Sequence, residues 1–156
     1  MGKQTKKYIM TSTLNIPSIT LKKEESNFPR VQIRSSAEAY KFIRQFYDDD
    51  IEIYESFFIL LLNQGNYTIG FAKISQGGIT ATVVDTRMIA KIALESLAVN
   101  VILAHNHPSG NMRPSEADKV LTDKLQNGLK MLDINVADHI ILCYNDYLSF
   151  RDEGLF

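Results

Sequence analysis

The sequence predicts an α/β domain in which helices flank a mixed β-sheet. Three observations point there: apolar strand-like runs alternate with helical periodicities, the first two runs are separated by a short turn, and each later run follows a helical segment. A chain of 156 residues has the size of one domain and can bury roughly two-thirds of the surface its unfolded form exposes. Residues 35 to 156 are read as that domain, and residues 1 to 34 as an N-terminal arm.

The arm mixes Lys, Ser and Thr with isolated apolar residues and is broken at Pro17 and Pro29, a composition compatible with one or two edge strands. Ser35 followed three residues later by Glu38 forms a capping-box signature, and Ala39, Phe42, Ile43 and Phe46 continue at helical spacing. Asp48, Asp49 and Asp50 are expected to end that helix. Tyr54 to Leu62 is too apolar to alternate, which suits a strand covered on both faces. A turn over Asn63 to Asn66 returns the chain into a second strand from Tyr67 to Ile74, with a short further strand expected over Thr80 to Val84. Asp85 can cap a helix that carries Met88, Ile89, Ile92, Ala93 and Leu97. Val99 to Ala104 reads as a buried strand. A last helix begins near Pro114 or Ser115, with Leu121, Leu125, Leu129 and Leu132 as its core stripe, and leads to a strand over Ile134 to Cys143. Asn145 and Asp146 form a turn before the tail.

Composition narrows the function classes. Hydrophobic residues make up 45% of the chain and charged residues 22%, the balance of a folded globular domain. A formal net charge of -1 offers no broad field for gripping nucleic acid, and the basic residues Lys3, Lys6, Lys7, Lys22 and Lys23 give such binding only weak support. Cys143 is the single cysteine, so neither an internal disulfide nor a cysteine zinc cage can form. No apolar run approaches the ~18 residues of a membrane span, and MGKQTKK is not followed by the apolar core of a secretory signal. A soluble, cytoplasmic protein is expected.

Two of the three histidines stand one residue apart at the end of the most apolar run, in VILAHNHPSG. On a strand, residues two apart share a face, so His105 and His107 make a two-pronged clamp; on a helix they would point nearly opposite ways. Imidazole nitrogens suit a borderline ion such as zinc at ~2.0–2.1 Å. Pro108, Ser109 and Gly110 break the strand, and Asp118 falls in the first turn of the next helix, within reach of the strand end. Two histidines and a carboxylate leave a fourth tetrahedral position for water, the mark of a catalytic rather than a closed structural zinc site. Ser115 and Asp118 also fit a capping box, a role compatible with ligation. A general base is needed as well. Glu55 is the candidate because it interrupts an apolar strand, with Glu52 as a rival three residues away.

His105-Asn106-His107, Ser115 and Asp118, with Glu55 far upstream, resemble the JAMM motif of the JAB1/MPN metalloprotease superfamily. More narrowly, HNHPSGNMRPSEAD, DHIIL at Asp138 to Leu142 and the terminal YLSFRDEGLF resemble the bacterial RadC family. The resemblance runs from about Glu55 to the C-terminus. It implies a cytidine-deaminase-like fold, zinc held by His105, His107, Asp118 and water, Glu55 as general base and acid, and Ser115 helping to stabilise a tetrahedral oxyanion. It also implies hydrolysis of a peptide or isopeptide bond, with a protein or peptide as partner. For His139 and Asp138 the expectation is a strand histidine satisfied by backbone, with support of the metal ligands as the alternative.

Longer RadC-like proteins carry an N-terminal helix-hairpin-helix region, for which the segment before Ser35 is too short. That weakens the alternative function, a DNA-repair-associated nucleic-acid-binding or accessory protein with a structural or vestigial metal site. Other metal enzymes fit less well. A nucleobase deaminase needs H-x-E with P-C-x-x-C, the His-Glu-x-x-His peptidase helix is missing, and HNH nucleases disperse those three residues through a separate module.

Overall fold

The computed structural model describes residues 27–78 and 83–156. Most of the expected N-terminal arm, including its lysines, and residues 80–82 of the expected strand at Thr80 to Val84 lie outside the described residues. Among the described residues five strands form one sheet in the order β2-β1-β3-β4-β5: β1 is Ser56–Leu62, β2 Thr68–Gln76, β3 Asn100–Asn106, β4 Asn135–Leu142 and β5 Tyr147–Ser149. Among the described residues three α-helices accompany it, α1 Ser36–Arg44, α2 Thr86–Glu95 and α3 Glu116–Lys130. The sheet is mixed: β1 pairs antiparallel with β2 and with β3, β3 and β4 run parallel, and β4 and β5 run antiparallel. A parallel pair needs a long crossover, and α3 supplies it between β3 and β4.

The apolar run at β1 is explained by its place between two helical layers. All seven of its residues are buried. Phe58, Leu60 and Leu62 join a cluster with Ala39, Phe42 and Ile43 of α1, whereas Phe57, Ile59 and Leu61 join Ile89 and Ala93 of α2 and Leu125 and Leu129 of α3. The period-two alternation of a strand thus divides one greasy stretch between two cores.

Local signals set the helix ends. The Ser35 hydroxyl accepts the Glu38 N–H, but the Glu38 carboxylate reaches the Arg34 N–H rather than that of Ser35, so the box is shifted by one residue on its return arm. Asp85 caps α2 through the Arg87 N–H. In the hairpin turn the Asn63 side chain accepts from the Gly65 and Tyr67 N–H groups, while Asn66 takes a φ of 58°.

At several element ends the structure differs from the sequence reading; helix α2 stops at Glu95, so Leu97 of its expected stripe lies outside it and is 83% exposed. Helix α1 ends at Arg44, and Asp49–Glu52 forms a separate 3-10 turn instead of merely stopping the helix. That turn continues through Ile53 and Tyr54, whose N–H groups both bond the Asp50 carbonyl, so β1 starts at Ser56 rather than Tyr54. Leu132 leaves the expected stripe and is 43% exposed, because α3 ends at Lys130 and Asp133 reverses the chain with a φ of 56°. The tail contains β5, whose three residues are too few to show alternation.

The C-terminal segment is built into the core. Asp138 accepts from the His139 and Arg151 N–H groups and from the Ser149 hydroxyl, and Phe150 is fully buried with its N–H on the His139 carbonyl at 3.0 Å. Phe150→Ala is expected to cost about 3–5 kcal/mol, as for other fully buried aromatic truncations. Urea unfolding followed by circular dichroism measures it, and a loss under about 1 kcal/mol would show the tail to be dispensable to the core.

Candidate metal centre

Strand β3 runs through His105 and Asn106, two residues farther than the apolar run alone suggests. Its alternation puts Ile102 and Ala104 on the α1 face and Val101 and Leu103 on the face of α2 and α3. His105 continues the second set. His107 lies just past the strand, where its N–H bonds the Leu142 carbonyl at 3.0 Å and extends the ladder with β4. The turn after it closes when the Gly110 N–H bonds the His107 carbonyl, with Gly110 at a φ of 75° that disfavours a side chain.

Asp118 arrives from the start of α3. One carboxylate oxygen, Oδ2, accepts from both the N–H and the hydroxyl of Ser115 at 2.7 Å, and the Ser115 hydroxyl accepts the Asp118 N–H, a complete capping box. The other, Oδ1, lies 3.2 Å from His105 Nε2. His107 Nε2 stands 3.0 Å from His105 Nε2 and 3.6 Å from Asp118 Oδ2. One ligand atom from each of the three residues falls within 4.8 Å of the others, so the cluster can hold a metal ion. Capping and convergence are served by one side chain, as the spacing allowed.

The donor set fits a borderline divalent cation: two imidazoles and one carboxylate, with the His105 ring nearly buried and the other two side chains 15% exposed. Burial pushes the Asp118 carboxyl up, but the two imidazoles and the Ser115 hydroxyl together outweigh it and hold the group well below the usual carboxylate range. His107 moves the other way. The hydrogen bond with Asp118 raises its pKa above the ordinary histidine value, burial opposes this, and the Asn111 carbonyl on Nδ1 adds to it.

Glu55 sits one residue before β1, half-buried, and lines the same cavity of about 470 Å³ as His105, His107, Ser115 and Asp118. Both its backbone groups are bonded, the N–H to Gly78 and the carbonyl to Gly77. The remaining walls include Phe57, Val84, Pro108 and Leu121. Glu52 does not line it, which separates the two candidate bases.

Two residues matter here in ways the sequence reading did not foresee. Asn106 is fully buried on the opposite face of β3, where its carbonyl accepts the Ser56 N–H at 2.8 Å and its amide donates to the carbonyls of Ile51 and Tyr54. It therefore fixes the chain on both sides of Glu55. Thr122, one turn after Asp118, bonds His139 Nδ1 at 2.6 Å. His139 is not satisfied by backbone as expected: its Nε2 bonds His105 Nδ1 at 2.8 Å, and desolvation holds its pKa well below the usual histidine value. Asp138 bonds the C-terminal turn and the His139 N–H, and its support of the centre is indirect. A polar residue inside an apolar strand was the available signal for both Asn106 and His139.

Residues 33–155 match the RadC-like JAB domain. The chain belongs to that family. It is 46% identical over 103 residues to a UPF0758 protein of Flavobacterium johnsoniae, an alignment covering 66% of this chain and 45% of the relative. A UPF0758 protein of Porphyromonas gingivalis is 40% identical over 147 residues, 94% of this chain and 61% of that protein. The UPF0758 protein YfjY of Escherichia coli K12 is 45% identical over 101 residues, 65% and 63% of the two chains. This RadC-like domain thus spans about half to three-fifths of the length of the relatives it matches. The five-stranded mixed sheet with three helices among the described residues agrees with the JAB/MPN fold. No helix among those residues is long and apolar enough to cross a membrane.

Two predictions follow from the geometry of this RadC-like centre. A metal must displace the proton that His107 retains beside Asp118, so affinity should fall as pH drops through the raised pKa of His107, by up to about tenfold per pH unit for one displaced proton. Zinc titrations by calorimetry at several pH values measure it, and a flat profile would contradict the arrangement. Asn106→Ala strands three backbone groups, two of them buried, and should cost about 2–4 kcal/mol of stability, read from the urea midpoint.

Proposed function

We propose that this domain is a zinc-dependent hydrolase of peptide or isopeptide bonds. The observation that carries the reading is the convergence of His105, His107 and Asp118 in the lining of a cavity that Glu55 also lines. A purely structural zinc site is normally closed by four protein ligands, whereas three donors beside open space leave a place for a reactant. When bound there, zinc would supply Lewis acidity, lowering the pKa of water and polarising a carbonyl.

The chain's own residues account for the rest of the chemistry. Glu55 takes the proton released by the attacking water and returns it to the leaving amine, which balances the hydrolysis without a further reactant. Its backbone, held by Asn106 through Ser56 and by the Gly77–Gly78 loop, limits how far the carboxylate can stray. The Ser115 hydroxyl, now donating to Asp118 Oδ2, turns to the substrate oxygen as negative charge develops on it. Phe57, Val84, Pro108 and Leu121 give the cleft apolar walls that suit a peptide chain.

Elemental analysis of the purified protein is expected to find about one zinc per chain, with Asp118→Ala lowering occupancy. Glu55→Gln should retain the metal yet reduce hydrolysis of peptide and isopeptide substrates by at least about a hundredfold. Full turnover by Glu55→Gln would exclude its role as base, and a protein free of zinc after purification and reconstitution would exclude the reaction class.

A further inference from the structure

We propose that Arg113 is a specificity-determining residue whose guanidinium pairs with a carboxylate of the substrate, beside the metal centre. The proposal rests on the hydrolase reading for the substrate being a peptide chain, and it adds that this chain is acidic near the bond to be cut. Arg113 lines the same cavity as Glu55, His105, His107 and Asp118, and among the described residues no other lysine or arginine does. It is exposed, and no described residue accepts a hydrogen bond from its guanidinium or forms an ion pair with it. Arg34, Arg44 and Arg87, by contrast, all spend guanidinium donors on acceptors of this chain.

The acids nearest in sequence are already engaged. Glu116, three residues on, takes Lys119 at 2.6 Å, and Asp118 is divided between the Ser115 cap and the two histidines. A guanidinium carries five N–H donors in a planar fork that matches the two oxygens of a carboxylate. The backbone beneath this fork is fixed. The Arg113 N–H bonds the Asn111 side-chain oxygen at 3.0 Å, Pro114 restricts Arg113 to extended conformations, and Ser115 then caps α3. The Asn111 carbonyl accepts from the His107 ring, so one short loop ties the charge both to the cluster and to the helix that delivers Asp118. Charge balance gives the position its effect. Glu55 and Asp118 are the carboxylates in the cavity wall, and by themselves they repel an acidic substrate and favour a basic one. A cation on the loop between Pro108 and Ser115 reverses that preference on its own side of the cleft, where a charge-assisted, two-pronged bond orients the chain across the cluster.

The test is an NMR titration of three pentapeptides into the Glu55→Gln protein in the presence of zinc, a background chosen to suppress turnover. Acetyl-Ala-Ala-Gln-Ala-Ala-amide has no carboxylate; Glu in place of Gln adds one on a side chain, and a free C-terminus adds one at the chain end. At least one of the two acidic peptides is expected to bind about fivefold to tenfold more tightly than the neutral one, and the peptide that gains identifies which carboxylate is recognised. Introducing Arg113→Gln should abolish the preference while leaving affinity for the neutral peptide unchanged, a split that misfolding does not produce. Arg113→Glu should instead favour the peptide with Lys in place of Gln. Equal binding of the three peptides, binding of none of them, or the same preference in Arg113→Gln would overturn the proposal. An Arg113-dependent preference in a protein whose wild type hydrolyses no peptide would uphold the carboxylate site while overturning the hydrolase reading. Wild-type hydrolysis of all three peptides at equal kcat/KM would do the reverse.

Discussion

Three electron-rich groups brought to one point repel one another unless positive charge sits among them. His105, His107 and Asp118 are in that position, with the two Nε2 atoms 3.0 Å apart and a carboxylate oxygen 3.2 Å from the first. The Asn111 carbonyl can only accept, so the Nδ1 of His107 carries a proton and its Nε2 is the titrating atom. In the metal-free protein a proton shared within the cluster relieves the repulsion, which is why His107 holds its proton more strongly and Asp118 loses its own more readily. A divalent cation answers the same electrostatic demand with a larger charge.

The fold sustains this arrangement by giving each of the three side chains a second, structural bond. Asp118 caps α3 with one oxygen while the other faces the histidines. His107 is tied to β4 through its N–H and to the following loop through its ring. His105 is held by the buried ring of His139, itself clamped between Phe57 and Phe150. The hydrogen bonds of the strand ends and the helix cap therefore do the orienting that a metal would otherwise have to impose at the cost of its own binding energy.

Asn106 shows how closely site and core are joined. It lies between the two histidines in sequence yet points to the opposite face, where it ties β3 to the start of β1 and hence to Glu55. The two faces of one strand thus carry the candidate cation ligands and the anchor of the proposed base. A single histidine–asparagine–histidine triplet links both halves of the cleft.

The sequence by itself determined the helix caps, the order of the elements, and the residues able to bind a cation, because these depend on short-range spacing: Ser115 three before Asp118, and His105 two before His107 on a strand. It did not reveal β5, the 3-10 turn after α1 or the end of the α3 stripe, where three or four residues carry too little periodicity to be read. Only the tertiary structure decided that Glu55 rather than Glu52 lines the cavity, that His139 backs His105, and that Thr122 bonds His139. Those pairings join residues far apart in the chain, and they exist because the parallel register of β3 and β4 and the crossover through α3 bring the side chains within hydrogen-bond reach.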